Sequence, residues 1–391
     1  MPKDKKTRKS LKESIRQRQA RIQKALEAHR LRMEKTMKHR KIPWGKITLS
    51  LCIVAIIVLA IYAATLHSPA PSTEEPQTPI NQQPSSSPNT IYIWPDGHVE
   101  PSNAPLVKTG ENYYMLTSDT SLPIIVLKDN IIIDGTNNSV KGSGIQGSRG
   151  LDLTGRRGVI ITNLKVHGFE RGVHIASASN ITILGNELTD NYCGIWVELS
   201  SLCSITSNKI VKNEGYGVWL KNSTGNIISK NIITSHGNYT VYMGYSSGNR
   251  IQYNNFTKNR ICMFLYSSSN NTISGNVMDD NYQAIHLLYS VGNAIFLNEI
   301  KGNQIGVSFS SSSNNTIYHN NFIYNSIHAE VENSTNIWDD DFPSGGNYWS
   351  DYTDKYPDAE KMVGPELWDT PYTIDENNID RYPRTNPVKS R

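Results

Sequence analysis

Five aromatic side chains recur at one place of a repeating unit and are the strongest candidates for contact with a ligand. They are Trp196, Trp219, Tyr242, Phe264 and His286, spaced 22 or 23 residues apart. The residues on either side of each are apolar, which predicts a strand whose middle residue faces outward. Flat rings on a rigid outer surface could stack on sugar rings or contact a protein. The alternative is that they only brace neighbouring strands. Three tyrosines stand two or three places further along such strands: Tyr245, Tyr266 and Tyr289.

Carboxylates are the second type of candidate, because hydrolysis of a glycosidic bond needs two of them within roughly 5–10 Å. Asp190 and Asp280 share a place but lie four units apart, about 19 Å at a strand spacing of ~4.8 Å. Asp279 and Asp280 are adjacent along a strand and therefore point to opposite faces. We therefore predict no catalytic residues and favour a binding protein over an enzyme.

Metal ligands are the third type. His174 and His286 share a place but lie five units apart, about 24 Å by the same spacing. Asp339, Asp340 and Asp341 are weak candidates for a metal site, because carboxylate oxygens suit a hard cation such as calcium. The alternative is a solvated acidic turn. No cofactor is predicted.

The elements that must position these residues are the units of an array at 150–331. A fixed period of 22 or 23 residues indicates a repeat architecture. The second and fourth places of each unit are apolar, as in a strand with one inward face. The twelfth place is isoleucine in eight successive units: Ile161, Ile183, Ile205, Ile228, Ile251, Ile273, Ile295 and Ile317.

Asparagine recurs at two further places. The fifteenth place holds Asn186, Asn208, Asn231, Asn254, Asn276, Asn298 and Asn320, and the twentieth holds Asn191, Asn213, His236, Asn259, Asn281, Asn303 and Asn325. Short strands that return to the same column after each turn predict an all-β fold, a parallel β-helix with 22–23-residue rungs. The isoleucines would then form an interior stack, and the asparagines would form ladders at the bends.

The segments before the array differ in charge and composition. Residues 1–46 contain 17 Lys+Arg and 4 Asp+Glu, and we predict a basic cytoplasmic helix, with a short coiled coil as the alternative. Residues 47–66 carry no charge, which predicts one transmembrane helix. The basic residues before it place the N-terminus in the cytoplasm and the β-helix outside the cell. The location predicted is therefore the cell membrane, as a single-pass protein.

Three further segments complete the chain. Residues 67–90 are rich in Pro and Ser and predict a stalk. Residues 91–149 would form the N-terminal cap and first rungs, and residues 332–391 the C-terminal cap and tail, because an array needs both ends covered.

Three stretches carry a resemblance to a known family. They are the leader at 92–101 with Ile-Ile-Ile-Asp-Gly at 131–135, the Ser-x-x-Asn-x-Ile spacing of the repeat, and a tail containing Gly-Asn-Tyr-Trp-Ser-Asp-Tyr at 346–352 and Asp-Thr-Pro-Tyr at 369–372. Over about residues 91–383 the chain resembles archaeal NosD-like right-handed β-helix proteins of the cell surface. The resemblance implies a right-handed helix and an involvement with sugars. Many relatives carry a calcium-like run where this sequence, at 358–368, departs from that pattern.

The prediction for function follows from the aromatic residues. We expect a membrane-anchored, extracellular, non-catalytic β-helix that binds a polysaccharide or a surface-layer protein along them. The alternatives are a polysaccharide lyase or hydrolase, and a structural stalk without a specific ligand. No nucleic acid is expected on the β-helix. Eight Asn-x-Ser/Thr sequons would allow glycosylation of the outer surface.

Overall fold

The computed structural model describes residues 89–389, which form a parallel β-solenoid of about 10 turns with rungs of about 22 residues. In chain order the strands are β1 (Ile91–Ile93), β2 (Val99–Glu100), β3 (Leu106–Lys108), β4 (Tyr113–Leu116), β5 (Ile124–Val126), β6 (Ile132–Asp134), β7 (Ser139–Lys141), β8 (Arg149–Asp152), β9 (Ile160–Thr162), β10 (Lys165–His167), β11 (Arg171–Ala176), β12 (Thr182–Leu184), β13 (Glu187–Thr189), β14 (Cys193–Glu198), β15 (Ser204–Thr206), β16 (Lys209–Val211), β17 (Tyr216–Lys221), β18 (Ile227–Ser229), β19 (Ile232–Thr234), β20 (Tyr239–Gly244), β21 (Arg250–Gln252), β22 (Asn255–Thr257), β23 (Ile261–Tyr266), β24 (Thr272–Ser274), β25 (Val277–Asp279), β26 (Gln283–Leu288), β27 (Ala294–Phe296), β28 (Glu299–Lys301), β29 (Ile305–Ser310), β30 (Thr316–Tyr318), β31 (Asn321–Ile323), β32 (Ile327–Glu332), β33 (Tyr348–Trp349), β34 (Tyr372–Asp375) and β35 (Asn378–Asp380). A helix, α1 (Tyr352–Lys355), lies between β33 and β34.

Three long sheets run along the helix, and each rung contributes one strand to each of them. The first sheet has the order β2-β1-β5-β8-β11-β14-β17-β20-β23-β26-β29-β32. The second has the order β3-β4-β6-β9-β12-β15-β18-β21-β24-β27-β30, and the third β33-β31-β28-β25-β22-β19-β16-β13-β10-β7. The parallel β-helix predicted from the repeat is therefore confirmed.

The isoleucine column forms the interior stack that its spacing predicts. Successive members pair in register through the second sheet, as in Ile228 with Ile251 and Ile251 with Ile273. All eight are at most 1% exposed. Burying a branched side chain at the same point of every rung removes apolar surface from water along the whole array, which is the main source of its stability.

Both predicted asparagine ladders are present at the bends. Asn254 is representative: its Nδ2 donates to Asn276 Oδ1 at 3.0 Å and to the Ile228 carbonyl at 2.9 Å. Its own Oδ1 accepts from the backbone N–H of Asn231 at 3.0 Å. Each amide thus bonds the next rung and satisfies turn backbone that would otherwise be buried without a partner.

Two more ladders were not predicted. One is built from amides and the other from hydroxyls: Asn226, Asn249, Asn271, Asn293, Asn315 and Asn336, and Ser200, Ser223, Ser246, Ser268, Ser290, Ser312 and Ser334. The Ser-x-x-Asn-x-Ile spacing of the repeat contains both columns, because its Ser and its Asn recur on successive rungs. The two columns close the bend between the first and second sheets.

Replacing Asn254 by leucine is expected to lower the free energy of unfolding by roughly 1–3 kcal/mol, because buried donors and acceptors on both neighbouring rungs lose their partners. Asn255 is the matched control, since it is exposed on the adjacent position and makes no side-chain hydrogen bond recorded in the structure. Denaturant titration of the two leucine variants measures the difference. Equal tolerance at both positions would show that the ladder does not carry this energy.

Further strands and aromatic side chains lie at both ends of the array. At the start, the antiparallel pairs β1–β2 and β3–β4 flank the first rungs. At the other end Phe322, Trp349 and Tyr372 stack with centroid distances of 4.4 and 4.1 Å. The buried Asp380 carboxylate accepts hydrogen bonds from Trp349 Nε1 and from the Asn347 backbone N–H. Burial raises the pKa of Asp380 to about 7.

The predicted single-pass location in the cell membrane must be corrected. Among residues 89–389, no helix is both long enough and apolar enough to cross a membrane. The segments predicted at 1–46 and 47–66, and nearly all of the stalk at 67–90, lie outside the described residues.

Candidate functional site

The five predicted aromatic residues lie in one outward column of the first sheet. Strand register pairs Trp196 with Trp219, Trp219 with Tyr242, Tyr242 with Phe264, and Phe264 with His286. We call this column the ring stack. Its rings pack on one another, with centroid distances of 4.7 Å between the two tryptophans and 4.2 Å between Trp219 and Tyr242.

The ring stack is less accessible than its spacing predicts. None of its members is exposed, and Phe264 is only 8% exposed. The tryptophan planes differ by 6° at stacking distance, so each ring covers the face of the next. Ring edges, rather than faces, therefore form the outer surface of the ring stack. Their role towards a ligand stays a prediction.

A neighbouring column on the side of the third sheet widens the aromatic surface. Tyr216 meets Trp219 edge-on at 4.5 Å, and Tyr239 stacks on Phe264 at 4.6 Å. Burial raises the pKa of Tyr216 to about 12 and raises the pKa of Tyr242 as well. Both phenols are therefore protonated at neutral pH and can donate hydrogen bonds.

Two strongly exposed rings lie at the opposite edge of this face. Tyr245, Tyr266 and Tyr289, here called the tyrosine patch, meet edge to face at 5.3 and 6.1 Å. Tyr245 is 55% exposed and Tyr289 57% exposed. Since they stand perpendicular to one another, they present ring faces that the ring stack does not.

Gly244 lets the ring stack approach the tyrosine patch. A Cβ atom at this position would lie 2.9 Å from Cε1 of Tyr242. Other rungs carry Glu198, Lys221 or Tyr266 at the equivalent outward place. The missing side chain leaves a space into which the Tyr242 ring leans, so the aromatic surface is continuous across the sheet.

A groove with a volume of about 660 Å³ opens at the bend between the third and first sheets. Three carboxylates line it, those of Glu170, Asp190 and Glu214, together with Tyr192 and Lys212. Sequence reasoning missed this group, because it looked for acids on neighbouring rungs of one column, whereas Glu170 and Glu214 are two rungs apart and Asp190 stands at a different place of the unit. Tyr192 contacts Tyr216 at 5.9 Å, so the groove adjoins the aromatic surface.

The acidic triplet is engaged within the protein. The Asp339 carboxylate, whose side chain is 1% exposed, accepts two hydrogen bonds from the Arg381 guanidinium, at 2.6 and 3.0 Å. Asp341 contacts the same guanidinium, and Asp340 accepts from the Ser344 hydroxyl. Hydrogen bonding to Arg381 lowers the pKa of Asp339 against the opposing effect of burial. The three aspartates therefore bind the C-terminal segment, through Arg381 and Ser344, at the end of the array.

Three of the eight sequons stand at turn positions whose backbone conformation favours asparagine. Asn180, Asn270 and Asn314 have φ values of 55°, 57° and 60°. This left-handed region favours Asn and Gly, and a strand threonine follows each of them two residues later. The turn geometry thus accounts for these motifs without glycosylation.

The fold and its outer face define this molecule as a parallel β-helix protein with an aromatic surface. The family described as periplasmic copper-binding protein (NosD) matches residues 103–269 and 261–354, so the chain belongs to that family. The description as periplasmic is a second finding against the predicted cell-membrane location. The match carries no information on the archaeal origin that the resemblance implied.

Other comparisons are more distant. No curated protein sequence matches the chain. A mutant of the periplasmic alginate epimerase AlgG is similar at 17% identity and a TM-score of 0.46, over 58% of this chain and 68% of that one. DFA-IIIase from Arthrobacter chlorophenolicus A6 is similar at 12% identity and a TM-score of 0.44, over 62% and 65%. The Dettilon tailspike protein is similar at 17% identity and a TM-score of 0.39, over 66% and 70%. At these values the likeness carries no argument about function.

The described residues do not fit a copper site. Copper prefers imidazole, thiolate and thioether ligands. His236 has both ring nitrogens within 3.3 Å of backbone carbonyls, and burial raises the pKa values of Cys193 and Cys262. In the part of the chain that the structure describes, no three His, Cys, Asp or Glu side chains are grouped to hold a metal.

Proposed function

We propose that this protein binds a carbohydrate chain along the outer face of its first sheet, without cleaving it. The observation that carries the proposal is the tyrosine patch, whose two turn residues are more than half exposed beside a packed ring stack. Exposed aromatic faces cost solubility unless a ligand covers them, and a tyrosine offers both an apolar face and a hydroxyl.

The two exposed rings of the tyrosine patch are carried by turn residues. Tyr245 and Tyr289 have φ values of 52° and 53°. This left-handed region favours Asn and Gly, and the equivalent turn positions of the other rungs hold Ser177, Leu199, Asn222, Ser267, Ser311 and Asn333. Asparagine can therefore replace either tyrosine without backbone strain, which makes it a suitable substitution for removing the ring.

Screening of the full-length protein against immobilised glycans and polysaccharides tests the proposal. We expect retention by extended polysaccharides, since the aromatic surface follows several rungs of ~4.8 Å each. Retention by a surface-layer protein but by no glycan would replace the proposal with a protein-binding role. Failure to bind either would leave a structural spacer.

Cleavage of a polysaccharide is the second candidate, favoured by the groove with three carboxylates. Glu170 and Glu214 are two rungs apart on either side of Tyr192, or about 10 Å at the strand spacing. This is near the upper limit of the separation that glycoside hydrolysis uses. New reducing or unsaturated sugar ends after incubation with a bound polysaccharide would establish this activity, and their absence would leave the binding role.

A further inference from the structure

A cluster of charged side chains lies at the N-terminal end of the ring stack. The column that holds Trp196 continues through His174 to Asp152, and strand register pairs these three in order. Arg171 and Arg149 form the adjacent outward column and are themselves in register. The Trp196 ring therefore adjoins His174 and Arg171, and Asp152 and Arg149 lie on the next rung.

Two acids in this cluster have cationic partners of their own. Arg149 donates to the Asp152 carboxylate at 2.5 Å. The Glu198 carboxylate lies 3.7 Å from Lys221 Nζ and accepts from Trp196 Nε1. Neither acid contacts Arg171 in the structure.

Arg171 is the cation with unused hydrogen-bonding capacity. Its guanidinium lies 4.1 Å above the Trp196 ring, and Nη1 lies 3.3 Å from His174 Nδ1. Its Nε is buried and has no hydrogen-bond partner; Glu170 Oε1 is 3.5 Å away, in ion-pair contact but outside hydrogen-bond geometry. A guanidinium has five N–H donors, so most of them are unpaired here.

His174 supplies a second unused donor beside Arg171. It is 3% exposed, and burial, together with the charge of Arg149, lowers its pKa to about 4. The imidazole is therefore neutral at neutral pH. Because Nδ1 accepts from Arg171, we assign the remaining proton to Nε2, which makes no hydrogen bond within residues 89–389.

We propose that Arg171 and His174 bind the anionic group of an acidic sugar, a carboxylate or a sulfate ester, at this end of the ring stack. The inference rests on the proposed carbohydrate binding and names its substrate class. A guanidinium fork matches two oxygens of a planar or tetrahedral anion. The Trp196 ring holds the guanidinium in place from below.

The test compares three polymers on the full-length protein: a polyuronate, a sulfated polysaccharide and a neutral polysaccharide of similar length. Wild-type protein should bind at least one acidic polymer more tightly than the neutral one, and the preferred polymer identifies the anionic group. Arg171→Gln should weaken binding of that polymer roughly ten- to hundredfold and leave neutral binding unchanged. Arg250→Gln, an exposed arginine on the second sheet, is the matched control and should bind as wild type.

Arg171→Lys is a second variant that separates loss of binding from loss of folding. Lysine keeps the positive charge and the aliphatic part of the side chain but lacks the planar guanidinium that can donate two parallel hydrogen bonds. This variant should melt near the wild-type temperature and bind the acidic polymer more weakly than wild type. Equal binding of acidic and neutral polymers, with Arg171→Gln unchanged, would overturn this inference and leave carbohydrate binding intact. Wild-type protein that binds none of the three polymers would overturn both.

Discussion

Replacing Ile251 by alanine is expected to lower the free energy of unfolding by roughly 2–5 kcal/mol. The side chain is fully buried in the middle of the interior stack, between Ile228 and Ile273. Removing three carbons leaves a cavity that rungs on either side cannot close, since their backbones are fixed by ladder hydrogen bonds. Denaturant titration of the full-length protein measures the change.

Ile232→Ala is the control for this experiment. Ile232 is also a strand isoleucine, but it is 54% exposed on the third sheet. Its replacement should change stability by less than about 0.5 kcal/mol, as is usual at the surface. A comparably small effect at Ile251 would mean that the column does not form the core.

Replacing His236 by asparagine is expected to stabilise the protein most at acid pH. Burial lowers the pKa of His236 to about 4, against the raising effect of the two backbone carbonyls near its ring nitrogens. Between pH 6.5 and 4 the unfolded chain therefore binds more protons, so wild-type stability falls as the pH falls. The difference between the two pKa values corresponds to roughly 3 kcal/mol, fully lost below about pH 4.

The asparagine variant lacks this titration and restores the ladder. Elsewhere in the column a backbone N–H donates to the amide oxygen of the next rung, as Asn191 does to Asn213. An imidazole offers no such oxygen to Asn213. Thermal unfolding from pH 8 to pH 4 should show a gap between variant and wild type that widens as the pH falls. A gap that is independent of pH would contradict the buried, neutral imidazole.

Much of the fold was predictable because a strict period determines which side chains share a column. Ile251 and Asn254 could be placed inside, and Asn255 outside, from their places in the unit. The third amide ladder, at Asn249 and its equivalents, was accessible to the same argument. For the two caps only the residue ranges could be predicted. Their internal contacts, such as the hydrogen bond between Trp349 and Asp380, follow no period and so have no signal in the repeat.

The position of the aromatic column could be predicted from the sequence, but the solvent exposure of its rings could not. Register placed Trp196 and Trp219 side by side, but only the side-chain torsions determine that their faces stack. The lean of the Tyr242 ring depends on the missing Cβ of Gly244, one place in one rung. The acidic groove joins residues from different places of the unit, Asp190 and Glu214, so no single column contains it.

Binding by two matched pairs of tyrosine variants tests the central claim most directly. Tyr245→Asn with Tyr289→Asn removes the two exposed rings of the tyrosine patch. Tyr253→Asn with Tyr324→Asn removes two exposed rings elsewhere, and these too have positive φ values, 56° and 49°. Asparagine suits that backbone at all four positions, so neither pair should lose stability.

With a polysaccharide that the wild type retains, the first pair is expected to bind roughly five- to hundredfold more weakly, from the loss of two aromatic contacts of about 0.5–1.5 kcal/mol each. The second pair should bind as the wild type does. Equal affinity of both pairs for that polysaccharide would contradict carbohydrate binding on the aromatic face of the first sheet.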